Sequence, residues 1–181
     1  MLDIMLIVLA VIVAVLVAVI AMRSSNFRVT RSGSISASPS AVFPHVNDLH
    51  NWEAWSPWAK LDPAAKSTFE GPRAGAGAVM AWAGNNKVGE GRMTIVESRP
   101  NEFIRFKLEF FKPFKATNTA EFAFKPEGGR TVVTWSMSGT NNFMAKAVGL
   151  FMNCDKMVGG QFEQGLASMK AVVEAAPRKK G

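Results

Sequence analysis

The stretch FIRFKLEFFK, residues 103–112, alternates apolar and charged side chains almost without a break. Successive side chains of a strand point to opposite faces, so this run reads as a strand with one dry and one wet side. The pattern recurs outward in both directions. Residues 76–83 close at Gly84-Asn85-Asn86, 88–98 at Pro100-Asn101, and 103–112 at Pro113; residues 116–125 then turn at Pro126-Glu127-Gly128-Gly129 into 131–139. Strands at such regular spacing, separated by turn residues, form an antiparallel meander.

The alternation sorts the side chains. Met80, Trp82, Met93, Ile95, Ile104, Phe106, Leu108, Phe110, Phe122, Phe124, Val133, Trp135 and Met137 fall on one face. Arg92, Thr94, Arg105, Lys107, Glu109, Glu121, Lys125, Thr134 and Ser136 fall on the other. A sheet that is wet on one side needs a cover on its apolar side. Residues 142–175 supply it: Met144, Val148, Phe151, Met157, Val158, Phe162, Leu166, Met169 and Val173 recur at spacings of three and four, the period of an amphipathic helix. Gly159-Gly160 in its middle costs about 1 kcal/mol per glycine against Ala, so a break, a kink or a close approach is expected there. Upstream, residues 27–36 read as a first strand. Ser38-Pro39 opens a short helix, and 48–58 forms a second helical piece ended by Pro57. The class is α+β, one domain with one core.

Ahead of that domain, Ile4 to Met22 are nineteen consecutive apolar residues without Gly or Pro. As a helix they span roughly 28 Å, against ~30 Å of bilayer hydrocarbon. No Lys or Arg precedes the run and it exceeds the usual h-region, which favours an N-terminal transmembrane anchor over a cleaved signal peptide. Arg23, Arg28 and Arg31 follow it, while only Asp3 and the α-amine precede it. The positive-inside rule then puts the domain on the cytoplasmic side of a single-pass membrane protein. The organisation expected is a membrane anchor over 1–22, a linker over 23–26, the folded domain over 27–176 and a basic tail over 177–181.

Composition narrows the chemistry. The net formal charge of +7 is scattered along the chain, away from the aromatic face, which suits an anionic membrane surface and not nucleic acid. One cysteine, Cys154, excludes an intramolecular disulfide and multi-Cys metal sites, and a buried inert thiol is expected. There is no tyrosine. His45 and His50 stand five residues apart, about 140° around a helix, and form no metal pair. The glycine-rich segments 71–77 and 84–91 lack the Gly-Lys-Ser/Thr ending of a phosphate loop and read as turns and bulges. Glu90, Glu97, Glu109 and Glu121 belong to the wet face or strand ends. Asp155 and Glu163, two turns apart on the long helix, are an unsupported acid/base option. No cofactor and no catalytic set is expected.

A series of short motifs in fixed order carries a family resemblance. They are Pro39-x-x-Val42-Phe43, Val46-Asn47-Asp48-Leu49, Trp52-x-x-Trp55-Ser56-Pro57-Trp58, Gly75-x-Gly77, Trp82-x-Gly84-Asn85, Gly89-x-Gly91-x-Met93-x-Ile95, Thr131-x-Val133-x-Trp135 and Phe162-x-x-Gly165-Leu166-x-x-Met169-Lys170. In this order they resemble the START-like, or SRPBCC, superfamily, specifically its bacterial polyketide cyclase/dehydrase and lipid transport group. The resemblance implies a helix-grip fold: a curved antiparallel sheet wrapped around the C-terminal helix, with a hydrophobic cavity between them.

The candidate ligand contacts are Trp52, Trp55, Trp58, Met80, Trp82, Met93, Phe106, Leu108, Asn118, Phe122, Trp135, Met137, Phe162 and Leu166. Rings and thioethers suit a flexible apolar ligand, although each also suits an ordinary core. The three tryptophans form either an aromatic gate or the filler of the joint between the short helices and the long one. Asn118, an amide on the apolar face, either orients a polar head or bonds nearby backbone. The expected partners are a hydrophobic small molecule of the lipid or isoprenoid class and the membrane itself, with a membrane protein as a further option. A membrane-anchored carrier is the leading expectation. An enzyme of the cyclase/dehydratase kind in the same cavity, or an interaction module, are the alternatives.

Overall fold

The computed structural model describes residues 1–150 and 153–176. The expectations for Phe151 and for the basic tail over 177–181 therefore lie outside the described residues, as does the side chain of Cys154.

Leu2–Met22 is one helix, α1, long and apolar enough to cross a membrane, with nearly all of its side chains exposed. Its last turn touches the domain. Ile20 is buried, and the Lys146 ammonium donates to the Ala21 carbonyl (3.4 Å). Arg23, the next residue after the helix, donates its guanidinium N–H to the Gly149 carbonyl at 2.7 Å. A cation at a helix C-terminus satisfies carbonyls that have no intrahelical partner.

Three residues later β1 (Asn26–Ile35) begins. Then come α2 (Pro39–Val42), α3 (Pro44–Asn47), a 3-10 helix (Leu49–Ala54) and α4 (Pro57–Leu61). Each of the α-helical pieces has Pro at its first position, where the missing N–H is not needed and φ is already set. Pro57 thus opens a helix, where the sequence reading had it close one. Strands β2 (Lys66–Glu70), β3 (Val79–Ala83), β4 (Glu90–Arg99), β5 (Phe103–Lys112), β6 (Ala116–Glu127) and β7 (Arg130–Thr140) follow. The seven strands form one antiparallel sheet in the order β1-β7-β6-β5-β4-β3-β2. Register shifts between Glu90 and Gly91 and between Ile95 and Glu97 are the irregularities that bend it.

The expected single helix over 142–175 is two: α5 (Phe143–Val148), capped by the Asn142 side chain, and α6 (Cys154–Ala175), capped by Asn153. Met144, Val148 and Met157 are consequently exposed and not part of the inner stripe. That stripe is Phe162, Leu166, Met169 and Val173. Gly159-Gly160 does not break α6. Gly159 is a point of close approach, since a β-carbon there would stand 2.1 Å from Nη2 of Arg31. That guanidinium grips Asp155 (3.0 Å) and Glu163 (2.7 Å), which gives the two helix carboxylates a structural role as a clamp onto β1. At the other end of the helix the Ser36 N–H donates to Glu174.

The wet face is as the alternation implies. Arg28, Glu121, Arg105, Glu97 and Arg99 form a connected line of ion pairs across β1, β6, β5 and β4.

Candidate functional site

The strand register stacks the inward side chains in layers across the sheet. Toward the C-terminal end of α6 one layer holds Phe124, Val133 and Gly33; the next holds Ile104, Phe122, Trp135 and Arg31. Then come Ile95, Phe106, Ala120, Met137 and Val29, followed by Met80, Met93, Leu108, Asn118, Gly139 and Phe27. The last layer is Trp82, Gly91, Phe110 and Ala116. Along β6 the inward residues therefore shrink from Phe124 and Phe122 to Ala120, Asn118 and Ala116, and β7 ends on Gly139. On β6 and β7, side-chain volume thus drains away toward one end of the sheet. That end is where β1 starts and β7 finishes (Asn26 opposite Thr140), so it is the end that α1 enters.

The large end is filled. Trp135 lies flat on Phe162 with centroids 4.1 Å apart, and Phe122 stacks on Trp135 at 4.7 Å. Trp52 packs at 4.7 Å from Trp55 and edge-on to Phe106, Phe122 and Trp135. Both indoles spend their N–H on backbone: Trp52 Nε1 donates to the Val46 carbonyl (2.9 Å), Trp55 Nε1 to the His45 carbonyl (2.8 Å). Trp55 is fully buried. Of the fourteen candidates, Trp52, Trp55, Phe106, Phe122, Trp135, Phe162 and Leu166 lie in this packed part, with Met93 at its border. Trp58 is half-buried against Trp135 and Phe162.

The small end is different. Met80, Trp82, Leu108, Asn118 and Met137 are only half-buried, together with Phe27 and Phe110. Trp82 leans edge-on against Phe110 at 5.8 Å, above Gly91, where any β-carbon would stand 2.3 Å from its ring. The Arg31 clamp ties the first turns of α6 to the edge strand β1, and the inward side chains at this end of β3–β6 are on the whole less buried than those at the other end. This less enclosed apolar stretch, with Met80, Leu108 and Asn118 half-buried around the buried Met93, is the trough between sheet and helix. The Asn118 amide contacts the Met137 sulfur at 4.0 Å, a weak acceptor, so most of its hydrogen-bonding capacity is unspent among the described residues. Gly139 opposite makes room for it; a β-carbon there would stand 2.1 Å from Oδ1. Gln161 on α6 has a buried carbonyl oxygen without a donor among the described residues.

None of the trough side chains titrates. The groups with displaced pKa values lie elsewhere. Burial holds the His45 imidazole below its ordinary value. Burial pushes the Asp48 carboxyl up, but hydrogen bonds from Arg73 and from the backbone and ring of His50 outweigh it, and the net is downward. His50 also stacks on Phe69 at 3.9 Å. These residues edge a separate, open surface hollow of roughly 310 Å³, lined by Leu49, His50, Phe69, Glu70, Gly71, Pro72, Arg73, Ala78 and Val79, on the outer side of the 3-10 helix. It contains none of the fourteen candidates. Among the described residues no three His, Cys, Asp or Glu side chains gather as a metal site would require.

Sequence reasoning missed the residues that make the trough by being small, Gly91, Ala116, Ala120 and Gly139, and also missed Phe27 and Gln161. Of these, Phe27 alone carries a signal in the sequence, as a large apolar position in a strand. The small residues gain meaning from their neighbours on adjacent strands.

A sheet bent around a long C-terminal helix, with an apolar interior opening at one end, is the helix-grip architecture. Residues 26–174 match the model of the polyketide cyclase / dehydrase and lipid transport family, and the chain belongs to that family. Solved structures share the fold at low identity. Protein CV1439 from Chromobacterium violaceum is 16% identical over 84% of this chain and 99% of its own, with a TM-score of 0.59. The Aha1 dimer from Colwellia psychrerythraea is 13% identical over 83% and 98%, TM-score 0.60. The di-domain ARO/CYC BexL from the BE-7585A biosynthetic pathway is 18% identical over 89% of this chain and 54% of its own, TM-score 0.63. No curated protein matches the chain.

Proposed function

We propose that the protein is a membrane-anchored binding module that carries a lipid, isoprenoid or similar apolar molecule in the trough between sheet and α6. The observation that carries this reading is the loss of side-chain volume toward the end where α1 enters, from Phe122 and Trp135 to Ala116 and Gly139. A pocket for a flexible apolar ligand needs unfilled apolar surface and a few polar groups to orient it. The half-buried Met80, Leu108, Trp82 and Phe110 supply the surface and Asn118 the polar group. Met80, Met93 and Met137 add side chains that repack around different chains. The anchoring reading is supported by the length and exposed apolar surface of α1 and by the contacts that hold its last turn to α5. The arginines after α1 support a cytoplasmic domain, and a reporter fused after Gly181 that is active only outside the cytoplasm would overturn that side of the reading. Cyclase or dehydratase chemistry would call for a titratable group in the trough. Asn118, which orients but does not transfer protons, is the polar side chain on its floor.

Native mass spectrometry of residues 23–181, followed by solvent extraction, tests the reading. A stoichiometric lipid or quinone identifies the cargo class. A protein that comes off empty and also fails to bind an apolar fluorescent probe removes the carrier function.

A further inference from the structure

The end of the sheet that α1 enters also carries a set of exposed apolar side chains that neither the fold nor the trough uses. Phe114, at the tip of the β5–β6 hairpin, is 74% exposed, and Phe111 on the same hairpin is 48% exposed. On α5, Phe143 and Met144 are exposed, Met144 by 65%. The topology brings these two elements to one end. The start of β6 pairs with the end of β7 (Asn118 opposite Gly139), the end of β7 pairs with the start of β1 (Thr140 opposite Asn26), and α5 follows β7 directly. The cations Arg23, Lys87, Lys112, Lys115 and Lys146 share that end, against the acids Glu90, which pairs with Lys112, and Asp62, which accepts from the Asn85 N–H.

We infer that this end is a second membrane contact: an aromatic and basic patch that sits in the headgroup layer of an anionic bilayer and holds the trough mouth against it. The inference rests on the reading of α1 as a retained membrane helix. Only Arg23, Ser24 and Ser25 separate α1 from β1, a reach of about 14 Å even when fully extended. A domain on so short a tether keeps the strand end nearest α1 at the bilayer surface. Aromatic rings and lysines are the residues that partition into that layer. Each lysine near an anionic leaflet strengthens the association by roughly fivefold. A protein partner would have no need of this placement; the lipid surface is the neighbour the tether dictates.

The test uses the full chain with Cys154→Ser, reconstituted in phosphatidylcholine vesicles containing phosphatidylglycerol. An environment-sensitive fluorophore is placed singly at Leu9→Cys in α1, at Ala116→Cys beside Phe114, or at Glu127→Cys at the opposite end of the sheet. Lipids carrying nitroxide quenchers at shallow or deep positions then report depth. The expected result is deep quenching at position 9, shallow quenching at 116 and none at 127. Loss of the signal at 116 on Phe114→Asp, with 127 unchanged, supports the patch as its cause. Quenching at 9 with position 116 behaving like 127 overturns the second contact and leaves the anchor standing. An unquenched label at 9 removes the anchor, and this inference with it.

Discussion

The indole of Trp135 on β7 and the ring of Phe162 on α6 lie face to face, 4.1 Å apart and within 10° of parallel. This pair joins the sheet to the helix it wraps. One turn further along α6, Gly165 leaves the space that Trp135 occupies, since a β-carbon there would stand 2.8 Å from Cζ3. Phe162→Ala is expected to cost about 3–5 kcal/mol in chemical denaturation. A cycle built from Trp135→Leu, Phe162→Leu and the double variant should return a coupling of about 0.5–1.5 kcal/mol. Strict additivity would mean that the stacking contributes only buried area.

Trp52 is expected to act as a support for the joint between the short helices and the core, and not as a gate. Its Nε1 N–H satisfies the Val46 carbonyl in a buried setting. Trp52→Phe leaves that carbonyl unpaired and should cost about 1–3 kcal/mol. Association and release rates of an apolar probe, followed by stopped flow, should stay close to those of the parent. A large acceleration of both rates with little change in stability would assign Trp52 to a gate after all.

The two adjacent glycines of α6 should respond in opposite directions. Nothing lies within 4 Å of a β-carbon built at Gly160, so Gly160→Ala should gain about 0.5–1 kcal/mol from helix propensity. At Gly159 the same methyl collides with the Arg31 guanidinium, which two carboxylates hold in place. Gly159→Ala should therefore lower the melting temperature, and Gly160→Ala should raise it. Equal shifts in the two variants would contradict the clamp.

Stability should fall on acidification in two stages. The His45 imidazole is held by burial below its ordinary value of 6.5. The unfolded chain therefore takes up a proton there before the folded one does, and stability is lost as pH falls below 6.5. The carboxyls of Asp155, lowered by Arg31, and of Glu174, lowered by the Ser36 N–H, behave alike at lower pH. So does Asp48, whose hydrogen bonds overcome the effect of burial. What these three contribute is complete above the ordinary values of 3.8 and 4.5 and is lost as pH falls from there through the lower folded values. Urea midpoints measured across this range should decline gently and then steeply. His45→Gln should abolish the gentle stage; its persistence would exclude His45 as the cause.

The strands were legible because burial on one face writes period two directly into residues such as Ile104, Phe106 and Leu108. The short helices were legible from Pro39 and Pro57, although the role of Pro57 was inverted, because a proline that cannot continue one helix is well suited to begin another. The division of the C-terminal helix was not legible. Met144, Val148 and Met157 keep the three-and-four spacing whether they face the core or solvent, and α5 turns aside to meet the end of α1, a contact remote in sequence. The trough was half legible. Met80, Trp82 and Leu108 announce themselves by being large and apolar. Ala116, Ala120 and Gly139 matter for volume they lack, which is apparent only once their partners across the sheet are known.

The ladder between β1 and β7 has a consequence for biosynthesis. Asn26 finds its partner in Thr140, more than a hundred residues later. At roughly 5–20 residues per second, β1 waits several seconds with its hydrogen-bonding edge bare. Ribosome-stalled chains ending before residue 130 should leave β1 open to protease, and chains extended past residue 176 with room to clear the exit tunnel should protect it. The first strand made is thus among the last to be paired. Closure of this fold is a checkpoint passed only by a chain that has been translated through β7.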